Sequence, residues 1–481
     1  MSKYVIPQDA SPGSQGKLQR NALSTLDLLI AGMSYMAPGF SLFFTTAIIA
    51  SIAGIYSPLT YLFAGLGVLC TGATLAEFSR RAPSAGALQT FVGKGFGQIA
   101  SIGGGIILVL GYVCLQASVA VLFGGWSARL LADAFGLSVP WPLLTVGGVL
   151  LFTLLMVRGV HLSIRTTWIL FLIEFILTVI IGVAVLVRGG AQGLSAEPLN
   201  IFALNRQTLP AIAFGMVYAT FSFVGFEGAI SFAEETPNPR HALPIAVLGG
   251  IVAMSLLYIV TMYAAVIGFG LPHIGVLGQD PEPIRTLAHR YVPLLEPLLL
   301  IAVLTSISAN LMAGGNANAR ILFNLGREGA LPMALGRIHP RYKTPYVAIL
   351  IFMFMTLVLG ILASWFWDYL TAFGNISGFG SLLALIIYLA ATVALPVYVR
   401  RAKTPFKVGS HLIVPVIGAL IWLIPLWGSI QPGQVFPLNI YPYLALGIIV
   451  LAVVYAIFAK QSRRIAQTGT LIAVEDESPS V

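Results

Sequence analysis

The sequence predicts an all-α polytopic membrane protein with about twelve transmembrane helices. Three observations carry that expectation. The 481 residues are 58% hydrophobic and only 9% charged, with a mean hydropathy of +0.91. A water-soluble domain of this length covers itself with far more charge. Apolar runs of about twenty residues, each long enough to cross roughly 30 Å of hydrocarbon, recur from end to end. The connections between them are short; the longest on the outer side, Gly189–Gln207 and Leu271–Arg290, are too short to fold independently.

The runs place spans at 23–51, 57–79, 98–132, 141–158, 165–187, 208–233, 244–270, 291–319, 346–364, 369–399, 410–430 and 439–459. Residues 1–22 are polar, contain Gly, Ser and Pro, and have no apolar segment before a cleavage site, so they read as a tail. Residues 460–481 read likewise, and 1–20 and 461–481 are expected to be disordered. With the N-terminus placed in the cytoplasm, 21 of the 26 Lys and Arg fall in cytoplasmic segments, among them Lys17, Arg80, Arg327, Arg341, Arg400 and Arg463. That asymmetry predicts both termini inside. The net charge of +9 therefore points to topology and not to nucleic acid.

Taken in order, the spans differ in what interrupts them. The first reads DLLIAGMSYMAPGFSLFFTTAIIA, and Ala37-Pro38-Gly39 should open it, since Pro38 lacks an amide proton and Gly39 tolerates a left-handed backbone. Spans two and three carry the only cysteines, Cys70 and Cys114, which read as small buried residues. The GKGFG stretch at Gly93–Gly97 follows no strand and is not a phosphate cradle. Span five holds Glu174 and span six Glu227, each near mid-membrane, where an ionised carboxylate costs several kcal/mol unless paired or hydrated. Asp27, Glu77 and Glu296 lie near span ends, within reach of the interface. Span six carries the second interruption, at Gly225–Gly228, with freed carbonyls expected around Phe221 to Val224. The second half of span one should start near Phe40–Leu42. Two interrupted helices at matching positions of two five-helix halves point to inverted repeats, 23–187 and 208–399, followed by peripheral helices within 410–459.

The chemistry these residues allow is narrow. The histidines have no metal-ligand spacing, there is no phosphate-binding loop, and no nucleophile–base set is clustered, so no cofactor or resident metal is expected and the chain does not read as an enzyme. An unwound helix segment leaves amides and carbonyls unpartnered, which is tolerable at membrane depth only beside a polar cavity.

Three segments carry a family resemblance. AEFSRRAPSAGALQTFVGKGFG (Ala76–Gly97) follows span two. TFSFVGFEGAISFAEETPNPRHALP (Thr220–Pro244) crosses span six. ANARILFNLGREGALP (Ala317–Pro332), with Thr344-Pro345, follows span eight. Together they resemble the amino acid–polyamine–organocation (APC) transporters. Ala87 stands where a second glycine is usual, and Pro38-Gly39-Phe40 where many members have Gly-Ser-Gly.

The resemblance implies a LeuT-type fold, with substrate held between the breaks of spans one and six. It implies a secondary transporter of amino acids in the cytoplasmic membrane, proton-coupled, with amine or polyamine transport or exchange as alternatives and a nutrient sensor as a remote one. The oligomeric state is left open. Substrate-binding positions are then Met36, Ala37, Pro38, Gly39, Phe40 and Ser41 on span one, and Phe221, Ser222, Phe223, Val224, Gly225 and Phe226 on span six. The amides of span one suit a carboxylate, and the carbonyls of span six an ammonium. Phe221 falls where relatives place an aromatic gate. Glu227 falls at a site of proton-sensitive coupling, and Glu174 where some proton-coupled relatives have a lysine in place of sodium. Thr305, Ser306 and Ser308 on span eight could offer oxygens to a weak sodium site, although such hydroxyls more often bond their own helix.

Overall fold

The computed structural model describes residues 24–81, 87–159, 164–228, 239–402 and 405–475. The N-terminal tail, the Pro-containing part of the first signature, and the Glu234-Glu235 portion of the second lie outside the described residues. Sixteen α-helices and no strand occur among those described. The first half contains α1 (Thr25–Met36), α2 (Pro38–Ala53), α3 (Ser57–Arg81), α4 (Ala87–Phe96), α5 (Gln98–Phe135), α6 (Trp141–Val157) and α7 (Ile164–Val187). The second contains α8 (Thr208–Phe223), α9 (Pro239–Phe269), α10 (Ile274–Gln279), α11 (Pro283–Tyr291), α12 (Glu296–Arg327), α13 (Tyr346–Ser364) and α14 (Tyr369–Arg401). Then come α15 (Val414–Ser429) and α16 (Tyr441–Glu475).

Ten segments are long and apolar enough to cross a membrane. The first, Thr25–Arg80, holds two passes, and the 17-residue Trp141–Val157 adds another. The twelve-span expectation is recovered. Its boundaries move in places. Helix α12 runs to Arg327 rather than 319, because Ala319, Leu322 and Leu325 recur at helical spacing and stay buried past the expected end. Helix α9 starts at Pro239 rather than 244, and Pro244 sits close enough to its start to remove little hydrogen bonding. Helix α16 continues past 459 to Glu475, through a stretch expected to be disordered. The connections at 82–97 and 271–290 contain α4, α10 and α11, which the span reading did not anticipate.

Packing follows the two-fold plan of a 5+5 inverted repeat. Helix α3 lies against α9, its counterpart, and α2 against α8. The contact of α1 with α9 is mirrored by α8 with α3, that of α5 with α14 by α12 with α7, and that of α5 with α6 by α12 with α13. Glycines permit the closest approaches, as is usual between membrane helices. A Cβ on Gly111 would lie 3.1 Å from Leu383 Cβ, and one on Gly380 2.9 Å from Leu115, so α5 and α14 nearly touch through their backbones. Helices α15 and α16 flank this core, and α16 is the least enclosed.

The three carboxylates expected at span ends are each engaged in structure. Ser24 and Asp27 form a reciprocal cap on α1: the Asp27 amide donates to Ser24 Oγ (3.2 Å), and the Ser24 amide donates to Asp27 Oδ2 (2.7 Å). Glu77 meets the buried His411 Nε2 at 3.0 Å, joining α3 to the turn before α15. Glu296 accepts from Arg285 Nε at 2.7 Å. Two faces can be distinguished, the face where α1 begins and the opposite one, which carries the α2–α3 turn, α10 and α11.

Candidate functional site

The break in the first helix is one residue long. Met36 ends α1, Ala37 adopts φ 45° and ψ 69°, and Pro38 opens α2. Helix α2 therefore begins before the expected Phe40–Leu42, because the first helical position needs no amide proton and proline's fixed φ already suits it. The Ser41 hydroxyl reaches back to the Met36 carbonyl (3.1 Å), and Asn310 Nδ2 donates to the Tyr35 carbonyl (3.3 Å). The break is thus held from α12 as well as locally.

The second break follows α8. Val224 leaves the helix at ψ 130°, and Gly225 takes φ 106°, a conformation that L side chains rarely adopt. Space forbids a side chain as well: a Cβ on Gly225 would stand 1.8 Å from Cδ1 of Tyr35. The two breaks consequently touch, ring to backbone.

Between them lies a cavity of about 30 Å³, room for a water or two and not for an amino acid. Tyr35, Met36, Phe40 and Ser41 line it from the first break, and Phe221 and Val224 from the second. The other expected binding residues lie behind this lining. Ala37 and Pro38 form the bend itself. Gly39 faces Glu174 instead, and a Cβ there would be 2.5 Å from its Oε2. Ser222 turns away, its hydroxyl 3.1 Å from Tyr61 Oη and its carbonyl accepting from Tyr258 Oη at 2.7 Å. Phe223 packs on Tyr61 and Tyr258, and Phe226 on Tyr388. Of the carbonyls expected to be free, that of Ser222 is taken by Tyr258 and that of Phe221 accepts from the Val224 amide.

Phe221 belongs to a run of edge-to-face rings. It meets Phe40 at 6.1 Å and Phe373 at 5.3 Å, and Phe373 meets Phe44 at 6.0 Å. Phe40 and Phe221 line the small cavity, whereas Phe44 and Phe373 line a much larger vestibule of about 780 Å³ that reaches Ser51, Asp280 and Asp368 on the face opposite the start of α1. The rings therefore stand between vestibule and cavity.

The two mid-membrane carboxylates occupy different surroundings. Glu227, 6% exposed, accepts a hydrogen bond from Tyr112 Oη on α5, with Tyr388 Oη 3.5 Å and the Gly225 amide 3.3 Å from its other oxygen. Tyr112 lines the cavity and Glu227 does not, so the tyrosine lies between them. Glu174, equally buried, sits beside the Gly39 amide and the Ser306 hydroxyl. Among the described residues neither its Oε2 nor Ser306 Oγ has a hydrogen-bond partner beyond this group. Thr305 and Ser308, in contrast, bond the Ala302 and Leu304 carbonyls of their own helix.

Sequence reasoning missed one side of the cavity altogether. Tyr112, Leu115, Gln116 and Val119 on α5 face Asn310, Gly314 and Asn318 on α12. Both sets have helical spacing, at i, i+3, i+4, i+7 and at i, i+4, i+8, which places each on a single helix face. Polar residues recurring every fourth position of an apolar span were the available signal.

A family model described as amino acid permease matches residues 23–459. The branched-chain amino acid permease BcaP of Bacillus subtilis is 25% identical over 484 residues, covering 96% of this chain and 98% of that protein. The low-affinity putrescine importer PlaP of Escherichia coli is 25% identical over 461 residues, covering 93% and 97%. The methylthioribose transporter of B. subtilis is 24% identical over 464 residues, covering 92% and 94%. With nearly its whole length matched and both helix breaks facing one cavity, the chain belongs to the amino acid permease family of the APC superfamily.

Proposed function

We propose that the protein is a secondary transporter that moves amino acids across the cytoplasmic membrane by alternating access, driven inward by protons. The observation that carries this reading is the meeting of two helix breaks at one cavity, an interruption tolerated at membrane depth only beside a polar site, where rearrangement of the breaks would free backbone groups for the ammonium and carboxylate common to all amino acids. Residues 23–187 and 208–399 act as the two inverted repeats, with 410–459 peripheral. Both termini are cytoplasmic, so the large vestibule opens outward and the ring layer at Phe221 is the outer gate.

In this reading Glu227 carries the coupled proton. It adjoins the second break, and Tyr112, which lines the cavity, hydrogen-bonds to it, so rearrangement of the break would change its hydration. Glu174 is the second candidate: a buried carboxylate set beside the Ser306 hydroxyl and the Gly39 amide suits either a proton or a small cation. Amine transport is the second reading, supported by the absence of Lys and Arg from the cavity lining among the described residues and by the likeness to a putrescine importer.

Uptake into proteoliposomes under an imposed pH gradient, with and without sodium, tests the coupling. An acidic outside should drive accumulation. Glu227→Gln should abolish it while counterflow between equal pools persists, since the shape of the site barely changes. Sodium-dependent uptake indifferent to the pH gradient would reject proton coupling. Accumulation by both Glu227→Gln and Glu174→Gln would remove both carboxylates from that role.

A further inference from the structure

We infer that Lys94, Arg400, Arg401 and Lys407, gathered where α4 meets the end of α14, bind the headgroup of an anionic phospholipid. The cluster stands apart from the cavity and the vestibule, and the inference does not depend on the transport reading. The orientation proposed above decides only that the lipid comes from the cytoplasmic leaflet.

The cations stand in two segments that carry no opposite charge. Residues 87–101 and 396–413 contain Lys94, Arg400, Arg401, Lys403 and Lys407 and not one Asp or Glu. Arg400, Arg401 and Lys407 are exposed and enter no ion pair among the described residues. Glu77, the carboxylate that reaches this stretch from α3, is already taken by His411 Nε2 at 3.0 Å and by Arg80 Nη1 at 3.4 Å.

The two arginines are nevertheless held in place. Arg401 Nη1 donates to the carbonyl of Gly95 at 2.8 Å, in the last turn of α4 and next to Lys94. The Arg400 guanidinium lies over the Phe406 ring, 5.6 Å from its centre. Phe406 packs in turn on the buried His411, whose Nδ1 accepts from the Lys407 amide at 2.8 Å. Lys94 Nζ sits 5.9 Å from the ring of Phe91, which stacks on Phe78 of α3. A carbonyl or an aromatic face orients a guanidinium, but only an anion neutralises it. Phosphate oxygens match the planar fork of donors that each arginine presents.

The surroundings select a lipid over a free phosphate. Phe96, Phe406 and Val408, in the same two segments, are 42%, 37% and 57% exposed. Helix α14 is long and apolar enough to cross the membrane, and Arg400 and Arg401 are its last residues, so they stand at the boundary between hydrocarbon and water. A phospholipid at that depth sets its phosphate on the arginines and its glycerol and upper chains on the apolar side chains. Such a ligand joins α4, α14 and the turn before α15, and so stabilises the fold.

The test is a thermal scan of the purified full-length protein in nanodiscs of phosphatidylcholine, alone or with about one third phosphatidylglycerol. Phosphatidylglycerol should raise the Tm by several degrees, because a ligand that binds only the folded state stabilises it, and added salt should shrink the gain. Arg400→Gln combined with Arg401→Gln should remove most of that gain. Arg206→Gln, beside the vestibule on the opposite face, should keep it. Should the double arginine variant fail to fold, Lys94→Gln combined with Lys407→Gln should remove at least half of the gain. Equal Tm in the two lipids, or an undiminished gain in a folded double variant, would overturn the site. An equal gain from inorganic phosphate in discs of phosphatidylcholine alone would assign the cluster to a free anion and overturn the lipid. Each of these results leaves the transport reading standing, since that reading is tested by uptake.

Discussion

Ala37 and Gly225 are the two residues on which the site turns, and they achieve their conformations differently. Ala37 bears a Cβ in the left-handed region, at a cost of about 1–2 kcal/mol that the surrounding packing must offset. Gly225 avoids that cost by having no side chain, and Tyr35 fills the space a side chain would need. The tyrosine then reaches on to Asn318, so a change at Gly225 is transmitted to α12 through one ring. Gly225→Leu should therefore abolish substrate binding, with at least a hundredfold loss of affinity, and should lower the melting temperature by several degrees, since both φ and volume are violated. Isothermal titration and a thermal scan of the monodisperse variant check this. Unchanged affinity would show that the second break is not part of the site. The sequence marks both positions, because proline and glycine act through their own backbone and need no partner to be noticed.

At the scale of elements, α10 and α11 form a cap over α2 on the vestibule face, held by ion pairs. Glu282, its side chain 4% exposed, takes Arg129 Nη1 at 2.6 Å from α5 and Arg285 Nη1 at 3.1 Å from α11. Arg285 also binds Glu296 at the start of α12, and His289 adds a contact at 2.8 Å. One turn below Arg129, Trp126 packs on Phe43 and Phe44 of α2, so the network rests on the aromatic layer that covers the cavity. Because both arginines keep some exposure, the network is worth less than a fully buried one. Glu282→Gln should cost about 1 kcal/mol and loosen the cap without unfolding the core. Hydrogen exchange across 271–291 should accelerate while α5 and α14 keep their protection; equal protection throughout would mean the pairs hold nothing. This cap was hidden in the sequence. Its charges lie in three separate segments, and their sign pattern looks like ordinary connections until folding brings α5, α11 and α12 together.

For the molecule as a whole, the large vestibule and the small cavity describe one stage of a cycle, closed at the ring layer. In a background lacking Cys70 and Cys114, Ala47→Cys lines the vestibule and should react readily with an impermeant thiol reagent applied outside intact cells. Ser41→Cys lines the inner cavity and should resist. Cysteine at position 3 or 478 should also resist from outside. Labelling of either tail would reverse the topology, and fast labelling at position 41 would mean the rings do not seal.

The sequence by itself determined the membrane class, the number of passes, and the two places where helices must break. Each of these is a local property: hydropathy acts over about twenty residues, and proline and glycine bend the chain where they stand. Tertiary structure alone decided which side chains face the cavity. Phe221 and Phe223 are two residues apart, yet the first lines the cavity and the second packs on α3 and α9. Tyr35 and Asn318, 283 residues apart, share a hydrogen bond. Glu174 and Glu227 look equivalent as lone carboxylates in apolar spans, but Glu227 is held by tyrosines and Glu174 lies against Gly39 and Ser306. Which face of an apolar helix turns inward is set by the helices around it, because in lipid the hydrophobic pattern no longer distinguishes core from surface.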